Sequence, residues 1–192
     1  MQRSAMAVSQ TPCPQFIFLP CSASFVTRVT EHVICIPDIC IRNKTYIMHN
    51  YNVNLHWKEG RIGSMQSPEL NETITVATPP EFEGGVPGIW SPEHLFTASV
   101  VSCFMTTFLA IAGFSKLEFE AFDCEATGVL SKVDGKFMMT EVELRPKLHL
   151  SDESKIDRAL RILEKAEANC LITNSVRAKV TLKPDVGVAV GV

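Results

Sequence analysis

The sequence has no cysteine pair spaced CxxC and no HxxxH, so the usual footholds for a structural zinc ion are missing. Its seven cysteines, Cys13, Cys21, Cys35, Cys40, Cys103, Cys124 and Cys170, are scattered and odd in number. That argues against a disulfide scaffold and fits reduced thiols in a cytoplasm. Neither sign of charge is in large excess: 18 basic and 21 acidic residues leave a net charge of −3, which gives no electrostatic reason to expect nucleic acid or an acidic membrane as partner. No basic start is followed by a continuous apolar segment, so a secretory signal is unsupported, and Pro12, Pro14 and Pro20 would interrupt an amphipathic transit helix. Internal repeats are absent too.

Charge is also missing where it matters most. From Leu95 to Ser115 no residue carries a formal charge. Ser91 can cap a helix there, Pro92 suits its first position, and Glu93 favours the positive helix end. Apolar residues cover the whole circumference instead of one stripe, which predicts a helix enclosed by other structure. The run is long enough to span a bilayer. Thr97, Ser99, Ser102, Thr106, Thr107 and Gly113 interrupt it and no basic cluster flanks it, so a buried central helix is the reading adopted.

Around this helix the chain divides into recognisable parts. Residues 1–47 show neither helical nor alternating pattern and read as an extension outside the folded domain, which spans 48–186 and leaves 187–192 as a tail. Tyr51, Val53, Leu55 and Trp57 alternate with polar residues as a half-buried strand, and Glu59-Gly60 turns the chain into a return strand beginning at Arg61. A further alternation covers 70–77, with Ile74 and Val76 on one side. The Pro- and Gly-rich stretch TPPEFEGGVPGIW is a loop whose Phe82, Ile89 and Trp90 could wall a pocket.

Beyond the central helix, the alternation starting at Leu117 slips in phase near Ala121, predicting a bulge or sharp bend. Asp134-Gly135 signals a hairpin into a strand through Val142, Leu144, Leu148 and Leu150, with Pro146 suggesting an edge position. Asp152 caps a second helix, 153–169, whose stripe is Ile156, Ala159, Leu160, Leu163 and Ala166. Cys170 follows at once, and Val176 to Leu182 forms a last strand. Strands, helix, strands, helix, strand make an α+β domain.

Read from pattern alone, Cys103 is a core residue, since free cysteine is among the most buried types. It lies too far from Ser91 for the helix dipole to activate it, so a reactive thiolate there needs a cation from elsewhere. Cys170 and Cys124 read as small packing residues, Arg61 as a solvated charge after a turn, and His94 as a helix-start residue.

Three segments taken together, NYNVNLHWKEGRIG, ATPPEFEGGVPGIWSPEHLFTASVVSCFMTTFLA and LEKAEANCLITNS, resemble the OsmC/Ohr family of thiol peroxidases, in order over about residues 49 to 184. The resemblance implies an OsmC-like two-layer fold, antiparallel sheets around a long buried central helix, and an intertwined homodimer with active sites at the interface. It also implies a two-cysteine peroxidase that reduces organic hydroperoxides. Carried over by position, Cys103 falls on the peroxidatic cysteine and Cys170 on the resolving one, which together would form a disulfide. Arg61 falls on the arginine that stabilises the thiolate, and Glu93 on the carboxylate that positions that arginine. The family commonly has proline after the resolving cysteine; Leu171 stands here instead.

The expected chemistry is reduction of an organic hydroperoxide by Cys103, disulfide formation with Cys170, and release by an external dithiol reductant, with no metal or organic cofactor. Phe82, Trp90, Phe104 and Phe108 are the expected apolar substrate contacts. Glu93 and Cys103 are ten residues apart, about 15 Å along a straight helix, so either Arg61 bridges them or Glu93 serves the partner subunit's Cys103; the second is preferred. Two alternatives of the same fold remain: a non-catalytic, stress-related dimeric binding protein, and a thiol redox sensor.

Overall fold

The computed structural model describes residues 48–188. The expected extension, 1–47, and the last four residues of the expected tail lie outside the described residues. The elements run β1 (Asn54–Glu59), β2 (Ile62–Gln66), β3 (Thr73–Ala77), α1 (Pro92–Phe114), β4 (Ala121–Val133), β5 (Lys136–Leu150), α2 (Ile156–Ala168), β6 (Lys179–Leu182) and β7 (Asp185–Val188). Short 3-10 turns, Glu153–Lys155 and Thr173–Ser175, flank α2. This is an α+β fold of two sheets and two helices.

β1, β2 and β3 form an antiparallel sheet of their own. Gly60, at φ +46°, makes the first turn, and the Trp57 indole Nε1 closes it by donating to the Gly60 carbonyl at 3.0 Å. β1 was expected to be half-buried, yet every one of its residues is exposed, Trp57 at 76%. Its alternating apolar face stays uncovered among the described residues.

The second sheet is built on the long β4–β5 hairpin, turned by Asp134 and Gly135 at φ +49° and +80°. Both turn residues need the left-handed region, which explains the Asp-Gly pair. This sheet is mixed, not antiparallel throughout, because β6 and β7 both pair with β5 in parallel. A parallel neighbour needs a long crossover, and α2 is that crossover.

Pro146 is therefore not at an edge: it lies fully buried in the central strand. It is tolerated because β6 pairs with β5 up to Leu144 and β7 only from Lys147, so Pro146 falls in the gap between them. β7 carries the sheet to Val188, past the expected domain end at 186. The phase slip near Ala121 is a bend at Glu120 just before β4, while the register shift of the hairpin falls between Val129 and Leu130.

α1 starts as its sequence predicts. Ser91 is the N-cap, accepting the His94 N–H at 3.3 Å, with Pro92 in the first turn. Its burial departs from expectation. Val100, Phe104, Phe108 and Ala112, spaced by four, are buried against β4, β5 and α2 together with Leu144, Leu148 and Leu163. Phe96, Val101 and Ile111 are partly buried beside that stripe, while Leu109 at 44% and Phe114 at 90% stay exposed. The helix is long and apolar enough to cross a membrane by length and composition, but one stripe of it packs on the protein's own core.

Candidate functional site

α1 and the segment after α2 meet at two thiols. Cys103 sits beside the buried Phe104 but off the core stripe, and is partly exposed. Cys170 follows the end of α2, where the Asn169 side chain caps the Lys165 carbonyl at 2.7 Å and the Cys170 N–H donates to Glu167 O at 3.1 Å. Its side chain is fully buried. The Ile172 N–H donates to Cys103 Sγ at 3.4 Å, and each thiol acts on the acidity of the other.

The surroundings push the two thiols apart in acidity. Burial works to raise Cys103, but it is outweighed by the Ile172 N–H, the Cys170 thiol, the Thr107 hydroxyl and the Leu171 N–H, which leave it below the ordinary thiol value. Cys170 is raised, first by burial and further by Cys103 beside it, against an opposing influence of Thr173. The strand thiol, Cys124, is pushed up to about 11, chiefly by burial. Because the thiolate is the reacting form, iodoacetamide at pH 7 is expected to alkylate Cys103 at least about tenfold faster than Cys124, read peptide by peptide in a mass spectrometer. Comparable rates would contradict the assignment of Cys103 as the acidic thiol.

A second group of residues gathers at the other end of α1. The 78–91 loop is held by Phe82 N–H to Pro79 O (3.1 Å), Gly85 N–H to Phe82 O (2.9 Å) and Val86 N–H to Thr78 O (2.9 Å). Gly85 admits no other residue, since a Cβ there would overlap the Pro79 carbonyl. The Ala77 N–H donates to the Trp90 carbonyl at 2.9 Å and ties the loop end to β3. Between this loop, α1 and the β4–β5 hairpin lies a cavity of about 760 Å³, with Phe82, Trp90, Glu93, Thr97, Phe137 and Met139 in its wall. Phe82 meets Phe137 edge-on at 5.4 Å between centroids. Glu93 Oε2 is buried there without a hydrogen-bond partner among the described residues.

Arg61 is exposed on the β1–β2 turn and lines a smaller hollow of about 280 Å³ with Trp57, Thr78 and Pro92. Its side chain runs along Gly84, and no carboxylate pairs with it among the described residues.

Four residues singled out in the sequence thus fall into two groups: Cys103 with Cys170, and Arg61 near the helix start that carries Glu93. Within one chain the groups stay apart, and neither Arg61 nor Glu93 is among the groups that act most on the Cys103 thiol. Phe82 and Trp90 line the larger cavity as expected of pocket residues. Phe104 and Phe108 do not. Both are fully buried, and Phe108 stacks on Phe122 at 4.7 Å, because they occupy the stripe of α1 that faces the sheet. His94 is tied to the helix start, its Nδ1 hydrogen-bonded to Ser91 Oγ at 2.8 Å. Sequence reasoning missed the Ile172 amide and Phe137; a main-chain amide leaves no mark on residue identity.

Comparison with known proteins agrees with this fold. The chain is 27% identical over 148 residues to the uncharacterized protein YmaD of Bacillus subtilis strain 168, covering 74% of this chain and 97% of that one. An OsmC-like protein of unknown function from Vibrio cholerae superposes with a TM-score of 0.65 at 27% identity, covering 71% of this chain and 99% of the other. A Legionella pneumophila protein described as the organic hydroperoxide resistance protein OsmC shares the fold, with a TM-score of 0.61 at 24% identity over 74% of this chain and all of that one. The family model described as OsmC-like protein matches residues 85–185, more than half of the sequence and the whole span from the Gly85 loop through both thiols, so the chain belongs to the OsmC-like protein family.

Proposed function

We propose that this protein is a thiol-dependent peroxidase that reduces organic hydroperoxides to alcohols. The observation that carries the reading is the thiol pair: an acidic, partly exposed Cys103 in contact with a buried, less acidic Cys170. The Cys103 thiolate attacks the terminal peroxide oxygen, the O–O bond breaks, and the departing alkoxide takes a proton to leave as the alcohol. Sulfur is oxidised by two electrons to a sulfenic acid. The Cys170 thiol then condenses with it, releasing water and forming the Cys103–Cys170 disulfide, which an external dithiol reduces by exchange. No step requires a metal or organic cofactor.

The working unit in this reading is a homodimer. Among the described residues, the exposed face of β1, the exposed side of α1, the unpaired Arg61 and the unsatisfied Glu93 carboxylate each lack something that a second copy can supply. Arg61, positioned by Glu93, then serves the partner subunit's Cys103, and the cavity of Phe82 and Trp90 offers apolar surface to the alkyl group of the same substrate. An arginine beside the thiolate holds its charge and orients the peroxide.

The test is turnover of cumene hydroperoxide with a dithiol, comparing wild type with Cys103→Ser and Cys170→Ser. Loss of all activity in the first, and a single oxidation without sustained turnover in the second, is the expected pattern. Full activity in Cys103→Ser names the wrong nucleophile. A peroxide-dependent disulfide without turnover instead supports a redox sensor, which the same thiol contact favours.

A further inference from the structure

We infer that Asn174 is a positioning residue for the thiol pair: its side chain closes the segment 168–174 into a fixed loop that holds Cys170 beside Cys103. This deepens the peroxidase reading and rests on the Cys103–Cys170 disulfide in it. Asn174 acts through the backbone that carries Cys170, not on the reacting atoms.

A helix leaves its last carbonyls without intrahelical donors. At the end of α2, Asn169 Nδ2 donates to Lys165 O at 2.7 Å and the Cys170 N–H to Glu167 O at 3.1 Å, both from close by. The carbonyl of Ala168, the last residue of α2, is reached from further away: Asn174 Nδ2 donates to it at 3.1 Å across six positions. The Asn174 N–H donates to Cys170 O at 3.0 Å. One residue thus binds both the end of α2 and the cysteine two positions beyond it.

These bonds matter to the thiols because of what lies between their ends. Cys170, Leu171 and Ile172 fall inside the closed loop, and the Ile172 N–H donates out of it to Cys103 Sγ at 3.4 Å. Ser175 secures the far side, its hydroxyl donating to Leu171 O at 2.8 Å and its N–H to Ile172 O at 2.9 Å. α2 is itself anchored, with Ala159, Leu163 and Ala166 in the core it shares with Val100, Phe104 and Phe108 of α1. Position passes from α1 through that core to α2, and from α2 to Cys170 through the amide of Asn174.

Asparagine suits this place, since a short side chain with N–H donors can bridge backbone groups at small range. Cys170 is fully buried, which leaves its placement to the backbone around it and not to free rotation of an exposed side chain. Closure of a disulfide by a thiol already held in position is fast, because no conformational search precedes it. Loosening the loop keeps both thiols chemically intact and lengthens that search.

The test measures disulfide closure without peroxide, on the full-length protein. The Cys103 thiolate attacks dithiodipyridine, forming a mixed disulfide and expelling one pyridinethione. The Cys170 thiolate then attacks the Cys103 sulfur, expels the second pyridinethione and closes the Cys103–Cys170 disulfide. Closure is read as the cross-linked peptide in a mass spectrometer after acid quenching at timed intervals. Asn174→Ala is expected to slow closure about fivefold, the loss of one ordinary hydrogen bond. Asn169→Ala loses a bond of the same kind at the same helix end but opens no loop around Cys170, and should stay within about twofold of wild type. A purely structural role moves both variants together; positioning moves the first alone. Asn174→Asp keeps the shape without the donor and is expected to slow closure at least as much, so it decides if Asn174→Ala fails to fold. Wild-type closure in either Asn174 variant, equal slowing by Asn169→Ala, or no Cys103–Cys170 disulfide in the wild type overturns the proposal. Slowed closure in a protein that turns over no cumene hydroperoxide keeps Asn174 in its role and removes the peroxidase reading.

Discussion

Co-expressing an Arg61→Met chain with a Cys103→Ser chain is expected to restore about a quarter of wild-type hydroperoxide turnover, although each variant alone gives almost none. The expectation comes from the geometry of one chain. Arg61 sits on an exposed turn with no carboxylate partner among the described residues, and the Cys103 sulfur takes the Ile172 N–H of its own chain. If Arg61 acts across the interface, a mixed dimer has one site with both an intact arginine and an intact cysteine, and one site with neither. With random pairing about half of the dimers are mixed and one site in two works in each, which gives the quarter. If Arg61 instead serves its own chain's Cys103, every site in the mixture lacks one of the two and turnover stays near zero. The dimer fraction, measured by light scattering on the same sample, keeps a failure to associate distinct from a failure to complement.

Phe108→Ala is expected to destabilise the fold by about 3–5 kcal/mol, read as a drop in the denaturant midpoint of the full chain. The ring is fully enclosed, stacked on Phe122 at 4.7 Å and packed against Phe119 at 5.5 Å, on the stripe where α1 meets the second sheet. Removing it leaves a cavity that well-packed neighbours fill only in part. This outcome separates the observed placement from the sequence expectation. A residue lining a substrate pocket would raise KM with little loss of stability; a core residue does the reverse. Phe82→Ala is the natural comparison, since its ring borders the larger cavity and is expected to affect substrate use more than stability.

Elements with a local cause were legible in the chain itself. The Asp134-Gly135 turn, the Ser91 cap followed by Pro92, and the alternation of Val142, Leu144, Leu148 and Leu150 all express constraints acting within a few residues. Pro146 was misread because its tolerance depends on two later strands: β6 stops pairing at Leu144 and β7 starts at Lys147, around the place where its missing N–H would otherwise be needed. The parallel direction of those strands is likewise a consequence of α2 lying between them. Leu55, Trp57 and Phe114 carry an apolar pattern that implies burial, yet among the described residues they stay exposed, because burial requires a neighbour that local pattern cannot supply.

The candidate site divides along the same line. Residue types and their order single out Cys103, Cys170, Arg61 and Glu93, because a nucleophilic thiol, a second thiol, a cation and a carboxylate are chemical properties of side chains. Their assembly belongs to tertiary structure. The packing of α2 against α1 brings residues 67 positions apart, Cys103 and Cys170, into contact and leaves Arg61 with the other sheet. Only that packing aims the Ile172 amide at the sulfur. An amide is the same at every residue but proline, and where it points is decided by the fold alone.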